Sequence, residues 1–225
     1  GLVIELGAWI LDEACRQLAE WHRRGQRMRM SVNISVLQFG SPRLLDDVQA
    51  CLARHAVQPE YLTLEITESI AMRDVEHSQH MLRQLRGLGV EISIDDFGTG
   101  YSSLVYLTRL PASELKIDRA FVQNLAEGHE DAAIVAAIIA LGKALGLTVT
   151  AEGVETPEQQ AFLTRQGCDL LQGFLLGQPV PADALHAVMD SVPPAGDRRQ
   201  VCALERHHQP GTRPREDSLR TRAAI

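Results

Sequence analysis

The 225-residue sequence predicts an α/β fold, a barrel of parallel strands ringed by helices, with about six of eight strands present. Three observations carry this prediction. Short runs rich in Val, Ile and Leu alternate with longer stretches of helical periodicity, and repeated strand-then-helix units build a parallel sheet covered by helices. Six such units can be counted. Each strand run also ends beside a polar residue, in order Asn33, Glu65, Asp95, Lys116, Glu152 and Gln172. An open doubly wound sheet would spread six strand ends over about 25 Å, at about 4.8 Å per strand. A barrel gathers them into one ring, where the loops after the strands form the site, and the six polar ends favour that closure.

Taken in order, the chain opens with a helix over 4–23, in which Trp9, Leu11, Ala14, Leu18 and Trp21 fall on or near one side. The first strand is expected at 28–35 and a helix at 42–55. The second strand, 61–67, leads into a helix over 73–88 that Gly87 and Gly89 close. The third strand is 90–96 and the fourth 113–118. A helix over 130–145 ends at Gly146 and feeds the fifth strand, 147–152. Thr156-Pro157-Glu158 opens the next helix, with Thr as N-cap and Pro in the first turn. The sixth strand is 169–174. In a barrel two strands short of closure, 28–35 and 169–174 are the edges, with backbone groups open to other chains.

Composition sets the frame. Apolar residues make up 45% and charged residues 23%, ordinary for a globular protein. No apolar run approaches the roughly 20 residues needed to cross a bilayer. The four cysteines are widely spaced, a poor zinc or disulfide pattern that suits a reducing cytoplasm. The net charge of −7 argues against a nucleic-acid polymer as partner. Residues 1–190 carry 15 basic and 25 acidic side chains and all of the strand-helix pattern. Residues 191–225 carry seven Arg against four acids with no periodicity, and read as a disordered tail. Residue 1 is not Met, so upstream sequence is expected, and a parent protein could be membrane-anchored there.

The chemistry concentrates at the strand ends. In Ile94-Asp95-Asp96-Phe97-Gly98-Thr99-Gly100, two adjacent acids end an apolar strand. Side chains alternate along a strand, so Asp95 and Asp96 reach one site only if the backbone turns there, as Gly98 and Gly100 permit. Glu65 sits inside the apolar run Leu64-Glu65-Ile66, where an unpaired carboxylate is costly. Asn33 offers a neutral oxygen, Lys116 is flanked by Leu115 and Ile117, and Glu152 and Glu155 follow the fifth strand around Gly153. The bland alternatives are turn residues, helix-start acids and a snorkelling Lys. Together, however, they make an oxygen-rich ring with one Lys. Such donors suit Mg²⁺ or Mn²⁺ rather than zinc, and paired divalent ions are the usual device for phosphodiester hydrolysis.

These segments resemble the ordered motifs of the EAL family: Val32-Asn33-Ile34-Ser35, Leu64-Glu65-Ile66-Thr67-Glu68, Asp95-Asp96-Phe97-Gly98-Thr99-Gly100-Tyr101-Ser102-Ser103-Leu104, Leu115-Lys116-Ile117-Asp118, Ala151-Glu152-Gly153-Val154-Glu155 and Gln172-Gly173-Phe174. The resemblance implies a modified TIM (β/α)8-type barrel, truncated at its N-terminus, that hydrolyses cyclic di-GMP to linear pGpG with two Mg²⁺ or Mn²⁺ ions. It implies that Asn33, Glu65 and Asp95 bind one metal and that Asp95 and Asp96 serve the second. It further implies that Lys116 holds the attacking water and that Glu152 is a catalytic acid or base. Glu68 would anchor the loop after Asp96, and Glu155 and Gln172 would line the substrate site. It is also compatible with a homodimer and with upstream regulatory domains. The Glu-Ala-Leu motif that names the family is absent from this chain, so residues 1–225 are expected to be a weak or inactive enzyme. The alternative is a catalytically inactive EAL domain that acts as a cyclic di-GMP receptor or protein-interaction module.

Overall fold

The structure is a computed structural model and describes residues 2–99, 104–126, 129–185 and 222–224. Helix α1 (Leu2–Arg23) leads into β1 (Arg29–Asn33), and α2 (Val36–Phe39) and α3 (Leu44–His55) return the chain to β2 (Leu62–Thr67). Helices α4 (Glu68–Arg73) and α5 (Val75–Gly87) precede β3 (Glu91–Phe97), and α6 (Leu104–Leu107) precedes β4 (Glu114–Ile117). Then come α7 (Arg119–Gln123), α8 (His129–Ala144), β5 (Thr148–Ala151), α9 (Pro157–Arg165) and β6 (Leu170–Leu171). The order across the sheet, β6-β5-β4-β3-β2-β1, is sequential and every pairing is parallel. All six predicted strands are present. On the polar side of the sheet Lys116 on β4 reaches Glu65 on β2, two strands away, at 2.7 Å.

The strands alternate strictly, and this divides the molecule into two layers. Leu62, Leu64, Ile66, Ile92, Ile94, Leu115, Ile117 and Val149 are buried on the side that packs against the helices. Ser31, Thr63, Glu65, Ser93, Asp95, Glu114, Lys116 and Thr150 are buried on the other, polar side. The sheet therefore has one apolar face and one polar face.

Local rules place the helix starts. Thr156 and Gln159 form a capping box at α9, Ser35 and Gln38 form another at α2, and Asp74 caps α5. Four short helices, α2, α4, α6 and α7, have no counterpart in the sequence expectation; each follows directly on a strand end or its loop. Trp9 departs from expectation as well: it is 63% exposed, while Leu11, Ala14, Leu18 and Trp21 are buried. At 100° per residue Trp9 lies about 160° round the helix from Leu11, on the opposite face. Among the described residues no helix is long and apolar enough to cross a membrane.

The expected open edge at β1 is partly covered. Strand β7 (Arg222–Ala224) pairs with it in parallel, Arg29 opposite Arg222 and Ser31 opposite Ala224. The tail expected to be disordered thus contributes these three residues to the sheet, because an edge of unpaired backbone groups accepts any segment able to extend. The rest of 191–225, and residues 100–103 of the glycine loop, lie outside the described residues.

Close packing of α8 on β5 gives a stability prediction. A Cβ on Gly142 would meet Val149 Cγ2 at 2.3 Å, whereas one on Gly87 would meet nothing within 4 Å. Gly142→Ala should cost about 1–3 kcal/mol by overpacking, while Gly87→Ala should be neutral or stabilising by up to about 1 kcal/mol. Urea unfolding of both variants checks this, and equal effects would contradict the packing described.

Candidate active site

Lys116 is the centre around which the polar side is organised. Its strand places it between apolar neighbours Leu115 and Ile117, so its stem enters the polar interior and its ammonium cannot reach bulk water. There Nζ meets Glu65 Oε2 at 2.7 Å, Asp95 Oδ1 at 3.2 Å and Glu152 Oε1 at 2.5 Å. Those acids come from β2, β3 and the loop after β5. Burial alone would lower the amine's pKa, but the charges of Glu65, Glu152 and Asp95 outweigh it and hold the pKa above its ordinary value. Lys116 therefore stays an ammonium at neutral pH. Glu152 is pushed the other way from a free acid: burial raises its pKa, with Asp95 and Glu65 adding to the rise against the opposing pull of Lys116.

The two adjacent acids share one side because the backbone turns between them. Asp96 has φ 53°, a left-handed conformation that Asp tolerates better than most residues. The β3–β4 register shifts between Ile94 and Phe97, so a bulge falls at this point. Bulges re-aim side chains in this way. The Asp96 N–H donates to Asp95 Oδ1 at 3.0 Å. Burial raises the Asp96 pKa, and the carboxylates of Asp95 and Asp118 raise it further. Past the bulge, Gly98 at φ 100° turns the chain, and its N–H donates to Glu68 Oε2 at 2.8 Å. Glu68 is itself buried at the start of α4.

The remaining candidates lie round this centre. Asn33 pairs in register with Glu65 at the end of β1 and is exposed. Glu155 is exposed and accepts from Gln123 Nε2 at 3.4 Å. Gln172 is exposed, and its backbone is tied to the neighbouring strand end: its N–H donates to Ala151 O and its carbonyl accepts from Val154 N–H. Asp118 is a site residue that sequence reasoning passed over. It caps α7, accepting from Ala120 N–H at 2.8 Å, and also stands beside the Asp96 carboxyl. Its place two residues after Lys116 was the available signal, masked by an ordinary capping pattern.

The donor set is all oxygen apart from Lys116, which fits hard divalent cations in type. Among the described residues no three Asp, Glu, His or Cys side chains form a closed metal cage. The ammonium stands between the three carboxylates instead, acting as their countercharge.

Comparison with known proteins adds kinship to this geometry. Residues 1–179 match the EAL domain family model. The chain is 58% identical over 188 residues to the bifunctional diguanylate cyclase/cyclic di-GMP phosphodiesterase MucR of Pseudomonas aeruginosa, a match covering 83% of this chain and 27% of that protein. It is 42% identical over 207 residues to the cyclic di-GMP phosphodiesterase NbdA of the same organism, covering 89% and 26%. It thus spans about a quarter of the length of these curated relatives. The MucR phosphodiesterase solved as a c-di-GMP complex superposes with a TM-score of 0.81, covering 82% of this chain and 75% of that one. The EAL domain of Mycobacterium smegmatis DcpA also gives 0.81, at 38% identity, covering 86% and 88%.

Removing the central ammonium leaves three carboxylates facing one another. In metal-free buffer at pH 7, Lys116→Met should cost about 3–5 kcal/mol of stability. Without Lys116 the Glu152 pKa, already raised by burial, rises further above its unfolded value. The penalty is therefore present at neutral pH and relieved as the pH falls and Glu152 protonates. Unfolding curves at pH 4 and pH 7 with chelator test the sign; a penalty that grows towards pH 4 would contradict it.

Proposed function

The chain belongs to the EAL domain family, and on that footing we propose that it hydrolyses cyclic di-GMP to linear pGpG with the help of Mg²⁺ or Mn²⁺. The observation that carries this reading is the convergence of Glu65, Asp95 and Glu152 on Lys116, with Asp96 turned to the same side by the bulge. The c-di-GMP complex of the related MucR phosphodiesterase supports the choice of substrate.

In this reading Asn33, Glu65 and Asp95 would hold one ion, and Asp95, Asp96 and Asp118 a second. Bound ions would supply Lewis acidity and countercharge for the phosphodiester oxygens. The chain's own residues do the rest. Lys116, fixed as an ammonium, cannot accept a proton. It donates hydrogen bonds that hold the attacking water in line with phosphorus. Glu152, whose pKa burial raises, is the carboxyl suited to proton transfer. The water oxygen bonds to phosphorus, the P–O3′ bond breaks, and the proton lost by the water is balanced by one delivered to O3′. Glu68 keeps the loop after Asp96 in place through Gly98, and Glu155 and Gln172 flank the substrate from the side of β5 and β6. A longer parent protein would add regulatory domains, as the bifunctional name of MucR suggests for that relative.

The test is turnover. With Mn²⁺, the chain preceded by the family's Glu-Ala-Leu segment should release pGpG, and residues 1–225 alone should yield no more than a trace. Asp95→Asn should abolish release. Lys116→Ala should lower kcat by about 100-fold or more while leaving substrate affinity within about threefold, because holding the water matters in the transition state. Chromatography of the products, with binding measured in parallel, decides. Tight binding without any pGpG from the extended chain would favour the receptor reading, and full activity of Asp95→Asn would sink the site assignment.

A further inference from the structure

The carboxylates that face Lys116 and Asp96 leave a charge deficit that the reaction has to meet. Glu65, Asp95, Asp96, Asp118 and Glu152 together with Lys116 sum to −4 when ionised, which two divalent ions cancel. Cyclic di-GMP brings two phosphodiesters and a charge of −2. Lys116 is already surrounded by three acids, so it is a poor source of further positive field for a second phosphate. Any side-chain cation for that group has to stand at the rim.

Arg119 is placed there by its own packing against Gly153 and by the contacts of its helix neighbours Asp118 and Gln123. It is the first residue of α7, whose cap, Asp118, lies against Asp96. Gly153, at φ 68°, brings the loop after β5 so close that a Cβ on it would meet Arg119 Cβ at 2.5 Å and Arg119 Cα at 3.3 Å. Four residues further along the same face of α7, Gln123 Nε2 donates to Glu155 Oε1 at 3.4 Å. That face therefore lies over the loop carrying Glu152 and Glu155, with the stem of Arg119 packed on the loop. Arg119 is exposed and makes no ion pair with a described residue. Arg43, which follows α2, differs in this respect, since it pairs with Asp47 at 3.7 Å.

Resting on the phosphodiesterase reading, we propose that Arg119 binds the non-reacting phosphate of the cyclic dinucleotide, holding the substrate across the ring while the other phosphate is cut. A guanidinium suits a phosphate through two parallel N–H···O bonds. The packing of Arg119 against Gly153 also ties its position to the strand end that carries Glu152, so binding and chemistry are set by one loop.

Calorimetric titration of the chain with cyclic di-GMP and cyclic di-AMP, in Ca²⁺ to slow turnover, tests this. The two ligands share their phosphates and differ in their bases. Arg119→Ala should weaken both by about tenfold and reduce the salt dependence of binding by about one charge. Arg119→Lys should recover part of the loss, since an ammonium still serves a phosphate as a point charge. Mn²⁺ affinity and the unfolding temperature should match wild type, which a merely structural role would not allow. Unchanged binding in Arg119→Ala overturns the proposal, and so does a loss confined to cyclic di-GMP, which would mean that Arg119 reads the base. The titrations use the chain preceded by the family's Glu-Ala-Leu segment; if that protein with Arg119 intact binds neither ligand, the phosphodiesterase reading itself fails and the inference falls with it.

Discussion

A single buried ammonium determines how this sheet can be arranged. Lys116 brings acids from β2, β3 and the loop after β5 to within 3.2 Å of one nitrogen. Carboxylates gathered this closely in a polar interior repel one another unless a cation stands between them. The ammonium supplies that cation, and so allows the three carboxylates to share one interior. The same contact joins β2 to β4 across the intervening β3.

The surrounding backbone is shaped to aim the remaining groups. A regular β3 would send Asp95 and Asp96 to opposite faces. The bulge and the left-handed φ of Asp96 bring the second acid round, and the Gly98 turn, held by Glu68, fixes the start of the loop beyond it. A sparsely populated backbone conformation at a non-glycine residue costs of order 1–3 kcal/mol. Here that cost falls on the residue whose direction the site depends on. Gly153 does the corresponding work at β5, since any side chain there would strike Arg119.

Much of the fold and the site was legible in the sequence, and the reasons are physical. A carboxylate such as Glu65 inside an apolar run, or Lys116 between Leu115 and Ile117, is too costly to leave unexplained, so each announced a polar interior. Strict alternation in Leu62-Thr63-Leu64-Glu65 and Glu114-Leu115-Lys116-Ile117 also stated which face was polar, but these runs are short enough to read as apolar throughout. Trp9 is apolar but two residues before Leu11, so its helical angle carries it to the exposed face. Asp118 was hidden by its second role as a helix cap. The pairing of Arg222–Ala224 with β1 had no local signal at all: three residues in an arginine-rich tail carry no strand pattern, and only the open edge accounts for their place.

Lys116 and its acids should behave energetically as one unit. A double-mutant cycle between Lys116→Met and Asp95→Asn, measured by urea unfolding in metal-free buffer at pH 7, isolates their coupling. The double variant should be more stable than the sum of the single changes implies, by about 2 kcal/mol or more, because the second change removes a charge that the first left unpaired. Additive effects within about 0.5 kcal/mol would contradict this, and would mean that the convergence on Lys116 is a matter of proximity without consequence for the fold.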